Sequence, residues 1–100
     1  MILTAIMSVF IFNADFPICT ADDVQQYPCA VFANDQYYAF WIDDRYHVAV
    51  STHAVFGARV GTDGTVIDPD GKLLFEREAG YATCAAYDGT NFLVVFRDSC

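Results

Sequence analysis

The sequence predicts an all-β fold, and three observations support that prediction. First, the segment from Cys29 to Asp44 recurs 55 residues later, from Cys84 to Ser99, with size and polarity matched at nearly every position. Each copy is typical of a β-hairpin, in which a tight polar turn joins a short apolar strand to a longer aromatic strand. Second, turn residues recur every few positions along the chain. Third, no window shows sustained helical periodicity, so no helix is expected.

Both faces of the central predicted strand, 36–42, are apolar. The side chains of one face are Tyr38, Phe40 and Ile42, and those of the other are Tyr37, Ala39 and Trp41. An antiparallel sheet with one solvated face would instead alternate apolar and polar residues. The pattern therefore predicts sheets packed on both sides, and the expected fold is about two four-stranded antiparallel propeller-like blades with permuted ends.

The 55-residue offset also divides the chain into repeats. Carried backwards, it aligns the N-terminal segment with the second half of a repeat. The expected organisation is one domain, 1–100, with an outer half-repeat at about 1–20, a full repeat at about 28–76 and an inner half-repeat at about 83–100. The expected strands are at about 28–33, 36–42, 48–60, 65–68 and 72–76, with a final hairpin in 83–97. A signal remnant is an alternative interpretation of 1–12, although no lysine or arginine precedes this apolar run.

Composition excludes several classes of protein. The chain is 55% hydrophobic and 16% aromatic, which excludes a disordered polypeptide. Its net charge of −8, with only five scattered basic residues, argues against nucleic acid and anionic membrane surfaces as partners. The apolar run at the N-terminus is too short to cross a bilayer as a helix, so no membrane span is expected.

Four cysteines suggest a disulfide framework and therefore an oxidising, extracellular or cell-surface location. They are Cys19, Cys29, Cys84 and Cys100, and none forms a C-x-x-C pair of the kind found in zinc or redox sites. Four cysteines allow three pairings, all of which remain open. A bond from Cys100 to another chain is a further alternative.

Several motifs occur in a recognisable order. Asp88 to Phe92 reads Asp-Gly-Thr-Asn-Phe, Trp41 to Asp43 reads Trp-x-Asp, and Gly57 to Val60 reads Gly-x-Arg-Val, followed by an Asp-Gly pair. This order resembles the repeats of secreted bacterial β-propeller-like proteins, over roughly residues 16 to 100. The second hairpin segment departs from this pattern, because Phe96 stands in place of the tryptophan. The cysteines are a further difference, since such repeats usually have none at these positions. The resemblance implies a propeller-like fold outside the cell, and few such proteins have a known activity.

About two blades would leave sheet faces and edges open, since propellers close with about four to eight. The leading segment has the pattern of the strands that the last hairpin lacks. We therefore expect an extracellular structural protein that self-assembles head to tail by β-strand completion, into a filament or a closed ring. A clasp within one chain and a fragment of a longer propeller are the alternatives. The expected assembly strand contains Ile2, Ala5, Val9, Ile11 and Ile18.

The sequence carries no recognisable catalytic motif, so neither an enzyme nor a cofactor is expected. The segment from Asp68 to Gly71 lacks the ligand spacing of a calcium loop and predicts a turn, and no metal site is expected. Asp43 and Asp98 end equivalent strands and are expected to make structural hydrogen bonds. The alternative function is a propeller-type lectin or adhesion module that binds glycan or protein through its loops. Its candidate binding loop is Asp44, Arg45, Tyr46 and His47.

Overall fold

The computed structural model describes residues 16–45, 53–76 and 79–98, and within these ranges the chain forms six β-strands and no helix. The strands are β1 (Gln25–Ala33), β2 (Gln36–Asp43), β3 (Ala54–Gly61), β4 (Lys72–Phe75), β5 (Ala79–Tyr87) and β6 (Phe92–Asp98). The prediction of an all-β fold is confirmed.

The strands form two antiparallel sheets. The first has four strands in the order β1-β2-β3-β4, so each strand pairs with the next along the chain, as in a β-meander. The second is the two-stranded sheet β5-β6. Neither sheet closes on itself within the described ranges, so the structure gives two open sheets that contact each other.

The two predicted hairpins, β1-β2 and β5-β6, pair in the same register. Cys29 lies opposite Phe40, and the same pair moved by 55 residues is Cys84 opposite Val95. The following pairs correspond in the same way as far as each turn. Both hairpins also have a register irregularity in the first strand, just before these cysteines. The correspondence between the two sequence segments thus extends to their backbone pairing.

Different chemistry closes the two hairpins. Between β1 and β2, Asn34 and Asp35 have φ values of 53° and 59°, as both residues of a type I′ turn require. Between β5 and β6, the Asp88 carboxylate accepts hydrogen bonds from the backbone N–H groups of Thr90 and Asn91, each at 2.8 Å. The polar residues that predicted these turns therefore form them by local geometry and hydrogen bonding.

One face of β2, which we call the front face, carries Tyr38, Phe40 and Ile42 and is covered by the two-stranded sheet. The ring centroid of Phe92 lies 4.4 Å from that of Tyr38 and 6.0 Å from that of Phe40. Val94 and Phe96 continue this contact along the strand. The second hairpin therefore packs face to face on the four-stranded sheet.

The opposite face of β2, the back face, belongs to the main buried cluster. This cluster consists of Ala39, Trp41, Ala54, Phe56 and Ala58, all of them buried. Ile18 and Cys19, which precede β1, pack against it. A sheet therefore covers the front face of β2, as its two-sided apolar pattern predicts. The back face is covered by a segment that forms no strand, and Tyr37 at its turn end is 44% exposed, so the predicted second packed sheet is absent from the described residues.

Two expected strands differ from those observed. The expected strand at 48–60 begins only at Ala54 within the described residues, because 46–52 lie outside them. The expected strand at 65–68 is a turn region with a single bridge between Val66 and Val60. The ladder does not continue there because the backbone N–H of Arg59 donates to the Asp68 carboxylate, at 3.0 Å, instead of to a neighbouring strand.

The predicted turn from Asp68 to Gly71 is present and supports the Trp41 ring. The Gly71 N–H donates to the Asp68 carbonyl at 2.9 Å, and Gly71 has a φ of 77°. A Cβ atom at Gly71 would lie 2.5 Å from Cη2 of Trp41, closer than any ordinary contact. Glycine is needed here both for its backbone conformation and for the close approach of the indole.

Gly71→Ala should destabilise the fold by about 3 kcal/mol, because a left-handed conformation and a clash with Trp41 add together. Gly89→Ala is the matched control, since Gly89 has a φ of 104° but no atom within 4 Å of its virtual Cβ. That control should lose only about 1 kcal/mol. Urea denaturation followed by the fluorescence of the single tryptophan measures both, and equal losses would contradict the close packing at Gly71.

Candidate functional site

Asp44 fastens the two ends of the first hairpin. Its N–H donates to the Val24 carbonyl at 3.1 Å, and its carboxylate accepts from the Val24 N–H at 2.9 Å. This member of the candidate binding loop therefore acts within the fold. Tyr46 and His47, the last two members, lie outside the described residues.

Arg45, the remaining loop residue, is held in a network that centres on Asp43. Its Nη2 donates to Oδ2 of Asp43 at 2.7 Å and to the Asp70 carbonyl at 2.8 Å, and its Nε donates to Oδ1 of Asp43 at 3.0 Å. The guanidinium carbon lies 3.9 Å above the ring centroid of Phe56, a cation–π contact. Trp41 completes the network, since its Nε1 donates to Oδ2 of Asp43 at 2.9 Å.

The electrostatics of this network keep both charges ionised. Burial of the Asp43 carboxylate opposes its ionisation, but the hydrogen bonds from Arg45 and Trp41 outweigh burial and lower the pKa of Asp43. The hydrogen bond to Asp43 raises the pKa of Arg45 in turn. Asp43 has no exposed surface, so the loss of Arg45 would leave a buried charge unpaired. The geometry makes this a structural pair that fixes the end of β2.

The segment before β1 docks on the same network. The Ile18 carbonyl accepts from the Asp70 N–H at 3.1 Å, the Thr20 N–H donates to Oδ1 of Asp70 at 2.8 Å, and Arg45 Nη2 lies 3.3 Å from the Cys19 sulfur. Ile18, expected in the assembly strand, therefore lies in no strand and packs on the four-stranded sheet of its own chain. The other residues of that expected strand, Ile2, Ala5, Val9 and Ile11, lie outside the described residues.

The three described cysteines are free thiols. Cys19 is half-buried against the back face, Cys29 is half-buried in β1, and Cys84 is exposed on β5. No disulfide joins these three residues, and Cys100 lies outside the described ranges. The predicted disulfide framework is thus unsupported within this part of the chain.

A second buried aspartate also pairs with arginine. Asp68 accepts from Arg59 Nε at 2.8 Å and Nη2 at 2.9 Å, and Lys72 Nζ lies 3.5 Å away. The hydrogen bonds from Arg59 hold the pKa of Asp68 well below its usual range, although burial acts in the opposite direction. Both buried aspartates therefore have arginine as their counter-ion. Among the described residues, no group of three or more His, Cys, Asp or Glu side chains could hold a metal ion.

Each of the two hairpins carries an exposed apolar patch. We define the outer patch as the side chains of the two-stranded sheet that face away from the four-stranded sheet: Cys84, Ala86, Leu93 and Val95. We define the hairpin patch as the back-face side chains near the turn of β1-β2: Ala30, Phe32 and Tyr37. Leu93 is 65% exposed and Phe32 is 54% exposed. The rings of Phe32 and Tyr37 pack edge to face with centroids 5.0 Å apart. Apolar patches on a protein surface are typical of interaction sites.

Strand β6 adds an open edge. It pairs with β5 on one side, and no described strand pairs with its other side. An unpaired row of backbone N–H and C=O groups is a template for strand addition. The open edge borders the outer patch, so both lie in one region of the surface.

No protein-family model, curated protein or solved structure matches this chain. The described ranges also contain no helix long and apolar enough to cross a membrane. What the chain does must therefore be inferred from the contacts and the exposed surfaces of the described residues.

Asp43→Asn should lower the free energy of unfolding by about 3 kcal/mol, because it leaves the guanidinium of Arg45 without its counter-ion. Asp35→Asn is the matched control. It removes the same charge from an exposed turn whose conformation asparagine accepts, and should change stability by less than about 0.5 kcal/mol. Thermal unfolding compares the two variants, and similar midpoints would refute a structural role for Asp43.

Stability should decline in acid. Asp43 and Asp68 both have lowered pKa values in the folded chain, so their contribution is complete above the unfolded-state value of about 4. It is lost progressively as the pH falls below that value towards the folded-state pKa values. Urea denaturation of the wild type between pH 7 and about pH 2 should show this decline, and Asp68→Asn should show a shallower one. An equal decline of stability with pH in the two proteins would contradict a contribution from the ionised Asp68 carboxylate.

Proposed function

We propose that this chain is an extracellular structural protein that assembles head to tail with copies of itself by β-strand completion. The observation that carries the proposal is that the two-stranded sheet has an exposed apolar face and an open strand edge. One face of that sheet packs on the front face of the four-stranded sheet, while its other face is exposed and β6 has an open edge. The proposed role is structural and involves neither catalysis nor a cofactor.

In this proposal the four-stranded sheet is one propeller-like blade and β5-β6 is the inner half of the next. The chain-order meander of the first sheet and the identical register of the two hairpins support this view. Stacked sheets gain stability from each neighbour and present open faces at both ends of the stack. Because β5-β6 has two of the four strands of a blade and β6 corresponds to β2, completing this blade takes two further strands beside β6.

The leading segment of another copy would supply the missing strands. Within one chain, Ile18 and Cys19 lie on the back face, whereas β5-β6 covers the front face. A chain closing on its own β6 would have to pass from one face of the four-stranded sheet to the other. A second copy meets no such obstacle. Because the two contacting surfaces differ, the contact is heterologous and leads to a filament or a closed ring.

The proposed extracellular location rests on the four cysteines and on the resemblance to secreted repeats. Among the described cysteines, Cys84 is an exposed free thiol and is therefore accessible for a bond to another copy. The net charge of −8 would keep single chains apart at low salt.

Self-assembly has more support than binding by a lectin or adhesion loop. Asp44 and Arg45 are engaged within the fold. Loop binding of glycan or protein would therefore depend on Tyr46 and His47. No contact of a described residue favours that function.

The test of strand completion replaces two apolar residues of the leading segment. The full chain should form assemblies in sedimentation velocity and in negative-stain electron micrographs, with and without reductant. Val9→Asp combined with Ile11→Asp should reduce it to monomers, because charges on a paired strand disfavour its addition. Thr62→Asp combined with Thr90→Asp is the control, since it adds the same charge at two exposed turn positions outside the leading segment and should assemble like wild type. A full chain that is monomeric at every concentration would refute the proposal.

A further inference from the structure

We propose that copies of the chain stack through the two apolar patches, with the hairpin patch of one copy packed on the outer patch of the next. This inference rests on the proposed head-to-tail assembly and names the faces that meet in it. The partner is a second copy of this chain, and the template for the contact lies within the chain itself.

The template is the contact between the two hairpins. The face of β5-β6 that points towards the four-stranded sheet carries Tyr87 and Phe92, whose ring centroids are 4.6 Å apart. Phe92 in turn packs on Tyr38 and Phe40, at 4.4 and 6.0 Å between centroids. An aromatic pair from one hairpin thus packs on the front face of the other.

The residues at the corresponding positions, 55 residues away in the sequence, are those of the proposed contact between copies. Moved back by that offset, Tyr87 and Phe92 become Phe32 and Tyr37, the aromatic pair of the hairpin patch. Moved forward, the receiving side chains Cys29, Val31, Tyr38 and Phe40 become the outer patch, Cys84, Ala86, Leu93 and Val95. Because both hairpins have the same register, the side chains of each patch have the spacing of their counterparts in the template. The two patches therefore correspond to the two sides of the contact that β5-β6 makes with the front face of the first hairpin.

The two patches cannot meet within one chain. The hairpin patch lies on the back of the four-stranded sheet, and the outer patch lies on the far side of the sheet that covers its front. They face in opposite directions, so each can be covered only by another molecule. Ile18 and Cys19 occupy the rest of the back face, which limits the contact to the turn end of the hairpin.

The contact between copies should be weaker than its template. Within the chain, the Tyr87 hydroxyl donates to Asn34 Oδ1 at 3.3 Å, and the Thr83 hydroxyl donates to the Tyr27 carbonyl. The residues that replace these two hydroxyl donors in the hairpin patch region are Phe32 and Pro28. The contact between copies is therefore apolar, and it brings together chains of net charge −8. Added salt should strengthen it, because salt screens the repulsion between like-charged chains.

Mixing of two blocked variants gives the sharpest test. Leu93→Glu destroys the outer patch and Phe32→Glu destroys the hairpin patch, and both side chains are exposed. Each variant alone should associate at least about tenfold more weakly than wild type, as expected when a central interface residue is lost. An equimolar mixture should form a one-to-one dimer and nothing longer, since one intact patch remains on each chain. Val24→Glu, at a 49% exposed valine outside both patches, is the matched control and should assemble like wild type.

The outcomes separate stacking from strand completion. If the patch variants assemble like wild type, or their mixture stays monomeric, stacking is wrong, whatever the leading-segment variant does. If the patch variants are monomeric while the Val9→Asp, Ile11→Asp double variant still assembles, stacking stands and strand completion fails. A wild type that never assembles overturns both.

Thiol protection tests the same contact in the unmodified protein. Cys84 lies in the outer patch, so its alkylation should slow about tenfold at concentrations well above the dissociation constant for assembly. Site-resolved mass spectrometry of the alkylated peptides measures this rate. Alkylation of Cys84 at one unchanged rate in dilute and assembled protein would overturn the inference.

Discussion

The buried carboxylate of Asp43 is the constraint on which the four-stranded sheet depends. Its two oxygens are fully used by Arg45 and Trp41, and Arg45 reaches on to the Asp70 carbonyl. Asp70 in turn holds Ile18, so one ionised group joins the end of β2, the turn before β4 and the segment before β1. Because a buried charge without its partner costs several kcal/mol, these elements must all be in place together.

The other organising feature is a central strand that is apolar on both faces. β2 can be satisfied only if material lies in front of it and behind it, and the chain supplies β5-β6 on the front and Ile18 with Cys19 on the back. The same pattern recurs in β6, where Leu93 and Val95 have no described cover. The second hairpin therefore also needs cover on its outer face, and the proposed self-assembly rests on the same physical requirement as the fold.

Local chemistry made part of this structure predictable. Turn residues and two-sided apolar strands are short-range signals, so the hairpins, the turn at Asp68 and the burial of Trp41 could be inferred from sequence. The structural role of Arg45 could not be inferred, because a charged residue that follows a strand is typical of an exposed loop. Its role depends on Phe56 and Asp70, which are distant in sequence. The two patches could not be located either, because an apolar residue is exposed or buried according to which segment covers it.

The differences between the two copies explain why the second hairpin should rely on apolar cover. The positions that correspond to Trp41 and Arg45 are Phe96 and Cys100, so the second copy has neither of the side chains that donate to Asp43 in the first. A network of the first kind cannot be built from those residues. Apolar contacts on its two faces must then contribute more to the stability of the β5-β6 sheet, and the four-stranded sheet covers one of these faces. The remaining face carries leucine, valine and alanine where a solvated face would carry polar residues, and the proposed cover by another copy accounts for this composition.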